Sequence, residues 1–317
     1  MRKFIVKILV LCLLVLACAV GLDMMISFGL RKTDCYRYQV FNDIFKDELK
    51  CDVLVMGNSR AFSHFNPKII DSICHVDSYN LGLGAYPINI QIAEYNCYKA
   101  HNGIPKLIIQ QVDFATLSVI NDIRHQYDSE RFFPTVYDKK TRKELRAIGY
   151  GFMELNCPLY RYFGYQKVIK DGLLEFLRVK HYVDRPAYKG FSPEEGDWDG
   201  TIAASMSSIM GAFDEEAIMA FEDYLTECKR DGVYVLLVNS PVYISTTKKV
   251  ENMDELNAYF EKTAERFGYK YLNYTENYKL CKDTSNFCVS FHLNPEGTDV
   301  FSADFAYDLD SLGLISR

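Results

Sequence analysis

The sequence predicts an α/β protein, a three-layer αβα body on a parallel sheet, preceded by one transmembrane helix. Three observations carry this. From Cys51 onward, short apolar runs alternate with helix-length segments, the pattern of βαβ units. The helical segments stop at glycines, as at Gly232 and Gly268, where a left-handed residue ends a helix cheaply. Finally, Phe4 to Leu22 is apolar apart from Lys7, which meets the ~20 residues a membrane helix needs if the lysine snorkels to the headgroups.

In chain order, Arg2 and Lys3 ahead of the apolar run keep the N-terminus in the cytoplasm and send the body across the membrane. Ala17-Cys18-Ala19 has the form of a signal-peptidase site and Val15-Leu16-Ala17-Cys18 approaches a lipoprotein site. An uncleaved anchor is favoured because apolar residues continue past Cys18, and all three readings export the body. Residues 1–30 are therefore read as the anchor, 31–50 as a linker ending in a short helix, and 51–317 as the α/β domain. Cys51–Met56 reads as the first strand. Asn66–Cys74 is a helix with proline at its first position. His75–Leu81 reads as a short strand ending near Asn80, and Pro87–His101 as a helix closing at Asn102-Gly103. Leu107–Val112 is the third strand. An insertion at about 115–212 carries Phe132-Phe133, a basic helix near Lys139–Arg146, aromatics at Tyr160–Tyr165, and the acidic, glycine-rich Gly190–Gly200 with the only tryptophan, a lid or a solvated loop. Helix Asp214–Asp231, strand Val233–Asn239, helix Met253–Phe267, strand Tyr269–Asn273 and helix Pro295–Leu312 complete the alternation.

The 317 residues are 49% hydrophobic and 25% charged, with a net charge of -6, so the chain can bury a large core. No basic run suggests nucleic acid as a partner. There is no HExxH and no CxxC among the ten cysteines, so neither metal nor cofactor is expected. Cys281 and Cys288 could form a local disulfide in an exported body; most cysteines read as small buried residues.

In a parallel sheet, ligands sit at the carboxyl ends of the strands. Gly57-Asn58-Ser59-Arg60 follows the first strand, and His292 precedes the last helix more than two hundred residues later. A serine hydroxyl becomes a nucleophile when a base lies within hydrogen-bond reach, and a loop-borne histidine above the first strand supplies one. Ser59 could instead cap its helix, and His292 could anchor its own loop. Arg60 could hold a carboxylate or phosphate, or pair with a core acid, and a phosphate-handling enzyme using Arg60 and a metal is a weaker alternative. Asn80 reads as fixing its own turn. His64, His75, His101, His125 and His181 read as surface or structural, with Arg131 and His125 as candidates to face the pocket.

GlyAsnSerArg after the first strand, AsnLeuGlyLeuGly after the second and HisLeuAsnProGluGly before the last helix resemble the SGNH (GDSL-type) hydrolase superfamily. More narrowly they resemble membrane-anchored, exported SGNH-like proteins of Bacteroidetes, and more distantly the acyltransferase-like proteins that modify alginate and teichoic acid. The resemblance implies an SGNH/flavodoxin-like fold, Ser59 as nucleophile and His292 as base. It implies an oxyanion N–H from Gly84 or Ala85, and an acylated glycan or small ester as substrate. Two positions depart from the pattern. Val289 stands where the family has the aspartate that orients the histidine; the nearest acid upstream is Asp283. Val112 stands near the family's oxyanion asparagine, leaving Gln111 as the amide that could serve. These departures motivate a second expectation, an inactive envelope protein that binds glycan or a biosynthesis partner.

Overall fold

A computed structural model describes residues 1–46, 49–123, 129–183, 187–205, 207–276 and 278–315. The chain forms two compact units, residues 1–48 with 121–186, and residues 49–120 with 187–317.

The second unit is the α/β body. Strands β1 (Val53–Met56), β2 (Ser78–Asn80), β3 (Leu107–Gln111), β4 (Tyr234–Asn239) and β5 (Lys270–Asn273) form one parallel sheet in the order β2-β1-β3-β4-β5. Val53 lies beside Ser78 on one side and Leu107 on the other, and Ile109 beside Leu236. β1 and β3 are buried along their whole length, because helices cover both sheet faces and a strand so placed reads as one continuous apolar run. On one face Val53, Val55, Ile109 and Val238 pack with Phe65, which directly follows helix Ser59–His64, and with Phe301 and Phe305 of helix Pro295–Ser311. Helices Ile88–Asn102, Glu215–Arg230 and Met253–Phe267 pack together as a second layer. A two-stranded hairpin, β6 (Phe287–Val289) and β7 (His292–Leu293), precedes the last helix.

The first unit is helical. Helix Arg2–Leu30 is long and apolar enough to cross a membrane. Its first half is exposed, while Asp23, Ile26, Ser27, Gly29 and Leu30 are buried. A Cβ on Gly29 would lie 1.8 Å from the Gly172 carbonyl oxygen, so the glycine lets helix Gln166–Phe176 approach to backbone contact. Within residues 31–50, expected as a linker ending in a short helix, lies helix Tyr36–Ile44 with Tyr38, Phe41 and Ile44 buried. Phe41 meets Phe132 edge-on at 4.6 Å between ring centres. The stretch therefore supplies core to this unit, because its aromatic side chains find partners in the segment expected as an insertion. Only residues 121–186 of that segment join the first unit; the remainder belongs to the α/β body.

Within the α/β body, Gly190–Gly200 is packed at its start and open further on, with Glu195, Gly196, Asp197 and Asp199 exposed. Asn80 N–H donates to the Lys189 carbonyl at 2.9 Å, Phe191 and Ser192 are buried, and Trp198 meets Tyr243 edge-on at 4.9 Å. The cysteines are free thiols. Cys281 donates to the Tyr274 carbonyl at 3.1 Å and Cys288 to that of His292 at 3.4 Å, so the disulfide considered between them is not formed. His125 lies outside the described residues.

Candidate active site

Strand order reverses between β1 and β3, and the crevice at their carboxyl ends is where a parallel sheet receives ligands. The turn after β1 opens there. Gly57 has φ +145°, and a Cβ on it would sit 2.7 Å from the Gln111 side chain and 2.8 Å from Ala61. Glycine is thus demanded both by the backbone and by the space. Asn58 caps helix Ser59–His64, its Oδ1 accepting from Arg60 N–H at 3.1 Å. The capping role open to Ser59 therefore belongs to Asn58.

Ser59 Oγ lies 2.9 Å from His292 Nε2. Three bonds between helix Ser59–His64 and the segment Leu293–Ser302 bring the two together. Leu293 N–H donates to His64 Nε2 at 3.1 Å, Thr298 Oγ1 to the Ser63 carbonyl at 3.0 Å, and Ser302 Oγ to the His64 carbonyl at 2.9 Å. Asn294 caps the last helix through Gly297 N–H at 2.9 Å. A Cβ on Gly297 would lie 2.2 Å from the Asn286 carbonyl oxygen, which explains the glycine of that block. Ser59 and His292 are both half-buried, accessible to a ligand yet partly shielded from water.

The loop after β2 runs beside the end of β1, with Leu83 N–H donating to the Gly57 carbonyl at 3.0 Å. Gly82 lies against the Phe62 backbone, where a Cβ would come within 2.3 Å of the Phe62 nitrogen. Ala85 follows in a left-handed conformation, φ 58°, exposed and lining the same cleft as Ser59 and His292. Gly84 is next to it but outside the lining. Phe114 and Phe291, ring centres 5.7 Å apart, flank the cleft, whose volume is about 210 Å³.

The remaining candidates have structural roles. Arg60, 3% exposed, donates to Asp113 at 3.3 Å, to the Ser240 carbonyl at 2.9 Å and to Asn239 Oδ1 at 2.9 Å. It pairs with a core acid, the second of the two roles considered for it, while also contributing to the lining of the cleft beside Ser59. Burial would push the Asp113 carboxyl up. The Arg60 guanidinium and bonds from Asn58, Ala115 and Gln111 outweigh burial and hold it below the usual carboxylate range. Asn58 Nδ2 reaches Asp113 at 2.5 Å, so the carboxylate fixes the residue that precedes Ser59. Gln111 spends its amide within this network. Its Nε2 donates to the Val112 carbonyl at 3.1 Å and to Asp113 at 3.2 Å, and its Oε1 accepts Asn58 N–H at 3.2 Å. It is fully buried and has no N–H aimed at the cleft, so it does not serve as an oxyanion donor. Asn80 bridges the Ala61 and Phe65 carbonyls at 2.8 and 3.0 Å and caps its own turn through Gly82 N–H at 2.8 Å. Asp283 caps the turn Thr284–Asn286 through Ser285 N–H at 3.0 Å and does not line the cleft. Arg131 is buried in the helical unit.

His64 fits no motif and reads from the sequence as surface or structural. It is fully buried, its ring edge-on to that of His292 at 6.2 Å. Its Nε2 accepts the Leu293 N–H, so the proton sits on Nδ1 and is donated to Ser240 Oγ at 3.0 Å. Burial, reinforced by His292 and Arg60, holds its pKa well below the usual imidazole value. The unfolded chain binds a proton near pH ~6.5 that the folded chain refuses, so stability is full above that pH and falls below it, by up to ~1.4 kcal/mol per pH unit. Chemical denaturation between pH 8 and 5 should show this slope, and His64→Gln should flatten it. An unchanged slope in the variant would place the acid sensitivity elsewhere.

Among known proteins, the sequence matches no family profile and no curated protein. Solved structures with a similar chain course include a Bacteroides fragilis protein described provisionally as an acylhydrolase. The likeness is 11% identity with a TM-score of 0.40, over 83% of this chain and 88% of that one. Another is a Streptococcus pneumoniae protein described provisionally as a platelet activating factor, at 10% identity and a TM-score of 0.44, over 88% and 95%.

Proposed function

We propose that this chain is an exported, membrane-anchored serine ester hydrolase or O-acyltransferase of SGNH type, acting on acyl esters of cell-envelope glycan. The observation that carries the proposal is the 2.9 Å approach of Ser59 Oγ to His292 Nε2 in the strand-end crevice. Ser59 Oγ attacks the acyl carbonyl while His292 Nε2, in its Nδ1–H tautomer, accepts the hydroxyl proton. The oxyanion is held by the backbone N–H groups of Ser59 and of Ala85, the position in the family's second block that lines the cleft. His292 then protonates the departing sugar oxygen. Water or a second sugar hydroxyl, deprotonated by His292, attacks the acyl-serine and regenerates Ser59. The cleft, at about 210 Å³, is below the ~300–1,000 Å³ of sites that enclose drug-sized ligands. It suits a short acyl group such as acetyl, with Phe114 and Phe291 against the sugar. The anchor holds the body outside the cytoplasm.

A second reading, an SGNH-like scaffold without catalysis that binds glycan or a partner, is favoured by Val289 and by the capping role of Asp283. Release of acetate from acetylated envelope glycan, compared between the full chain and Ser59→Ala, separates the two. Serine-dependent release supports the enzyme; equal release, or glycan binding without release, supports the scaffold.

A further inference from the structure

The helical unit contains a larger cavity than the one beside Ser59, about 790 Å³, walled by Phe133, Pro158, Leu159, Tyr162, Phe163 and Ile169 among others. None of the proposed chemistry uses it. Its position along the anchor is fixed by one carboxylate. Asp23, fully buried, ends the apolar run of helix Arg2–Leu30. It accepts from Leu159 N–H at 2.6 Å and Tyr137 Oη at 2.6 Å, and is paired with Arg161. Arg161 also donates to Ser27 Oγ at 2.9 Å. Leu159 and Arg161 are cavity walls, so the cavity is bonded to the turn of the helix where its apolar stretch stops. Phe4–Leu22 spans ~28 Å at about 1.5 Å per residue, the thickness of the ~30 Å hydrocarbon layer. If that stretch is in the bilayer, Asp23 and the cavity wall sit at its outer boundary.

The surface around the cavity has the composition of such a boundary. Phe163 is 89% exposed and Phe152 75%, with Met153 and Tyr160 also exposed. Large apolar residues bared together on a folded unit mark an interaction surface, and aromatic side chains concentrate at the headgroup level. Arg142 donates its guanidinium to Asn156 Oδ1 at 2.8 Å, on the same short helix as Phe152 and Met153, and so supplies a cation near these apolar residues for anionic lipid headgroups.

Resting on the anchor reading, we propose that this face of the helical unit is seated in the outer boundary of the bilayer that the helix spans, and that the cavity receives a phospholipid acyl chain from that leaflet. Continuity with the anchor selects lipid as the occupant. The seated face would hold the helical unit against the membrane, where an anchor and flexible linker alone would leave it free.

The test uses the full chain in nanodiscs of phosphatidylglycerol and phosphatidylcholine brominated at carbons 6 and 7, in a Trp198→Phe background. Single reporters are Phe163→Trp at the rim, Ile169→Trp on the cavity wall and Leu13→Trp in the anchor. Quenching of the indoles at positions 163 and 169, several-fold above that of Trp198 in the parent, is the expected result. Quenching at position 13 without quenching at 163 and 169 leaves the anchor standing and overturns this inference. No quenching at position 13 overturns the anchor and this inference with it. An indole at 163 unquenched in single-copy discs, but blue-shifted with two copies per disc, assigns the face to a second copy and also overturns it.

Discussion

Ser59→Ala should lower the turnover of an acetyl ester by roughly 10³-fold or more while leaving the fold intact. Hydrolases built on a serine and a histidine keep only a residual acceleration when the nucleophile is removed, supplied by the oxyanion donors and binding alone. Little stability is at stake, because Asn58 makes the helix cap and the serine hydroxyl bonds His292. His292→Ala should cost about as much, and the double variant little more than either single one, since the two residues act as one device. Initial rates with a chromogenic acetyl ester, alongside thermal unfolding of each variant, provide the measurement. A Ser59→Ala protein that unfolds normally and turns over at the parent rate removes the mechanism.

Asp113→Ala should be the most destabilising single change in the α/β body, by about 3–5 kcal/mol. It leaves the Arg60 guanidinium, 3% exposed, without its counter-charge, and stranding one member of a buried pair costs that much. It also frees Asn58 Nδ2, so catalysis should fall in whatever fraction stays folded. Asp113→Asn, which retains hydrogen-bond acceptance, should cost less. The double variant Arg60→Met with Asp113→Leu should recover much of the stability, because removing a buried pair together is often neutral, but it should not recover the positioning of Ser59. Urea midpoints of the four proteins decide this. An Asp113→Ala midpoint within experimental error of the parent would show that Arg60 is not stranded.

The sheet was readable because its central strands are covered on both faces. Val53–Met56 and Leu107–Ile109 are apolar throughout, and a glycine with φ 77° ends helix Met253–Phe267 at Gly268. The short motif blocks carried the site because each holds a glycine at a close approach, Gly57 to Gln111, Gly82 to Phe62 and Gly297 to Asn286. What escaped has its partners far away in the chain. Tyr38, Phe41 and Ile44 look like linker residues until Phe132 comes beside Phe41. A lone histidine at position 64 has no motif; its meaning comes from Ser240 and Leu293, 176 and 229 residues away. Gln111 reads as an oxyanion amide because a strand end faces the crevice, and Arg60 is open to a ligand or a core acid; which partner each takes depends on Asp113, whose carboxylate accepts from both. Asp23 gave no sign of being more than the end of an anchor, yet it holds Arg161, Tyr137 and Leu159 together.

The central claim is that Ser59 is a nucleophile activated by His292, and covalent labelling reads it most directly. Full-length protein is treated with a fluorophosphonate, digested and mapped by mass spectrometry, in parallel with His292→Ala. The expected result is one phosphonylated peptide, modified at Ser59, with labelling at least a hundredfold slower in the histidine variant. A folded protein that stays unlabelled, or that labels at another serine, contradicts the claim.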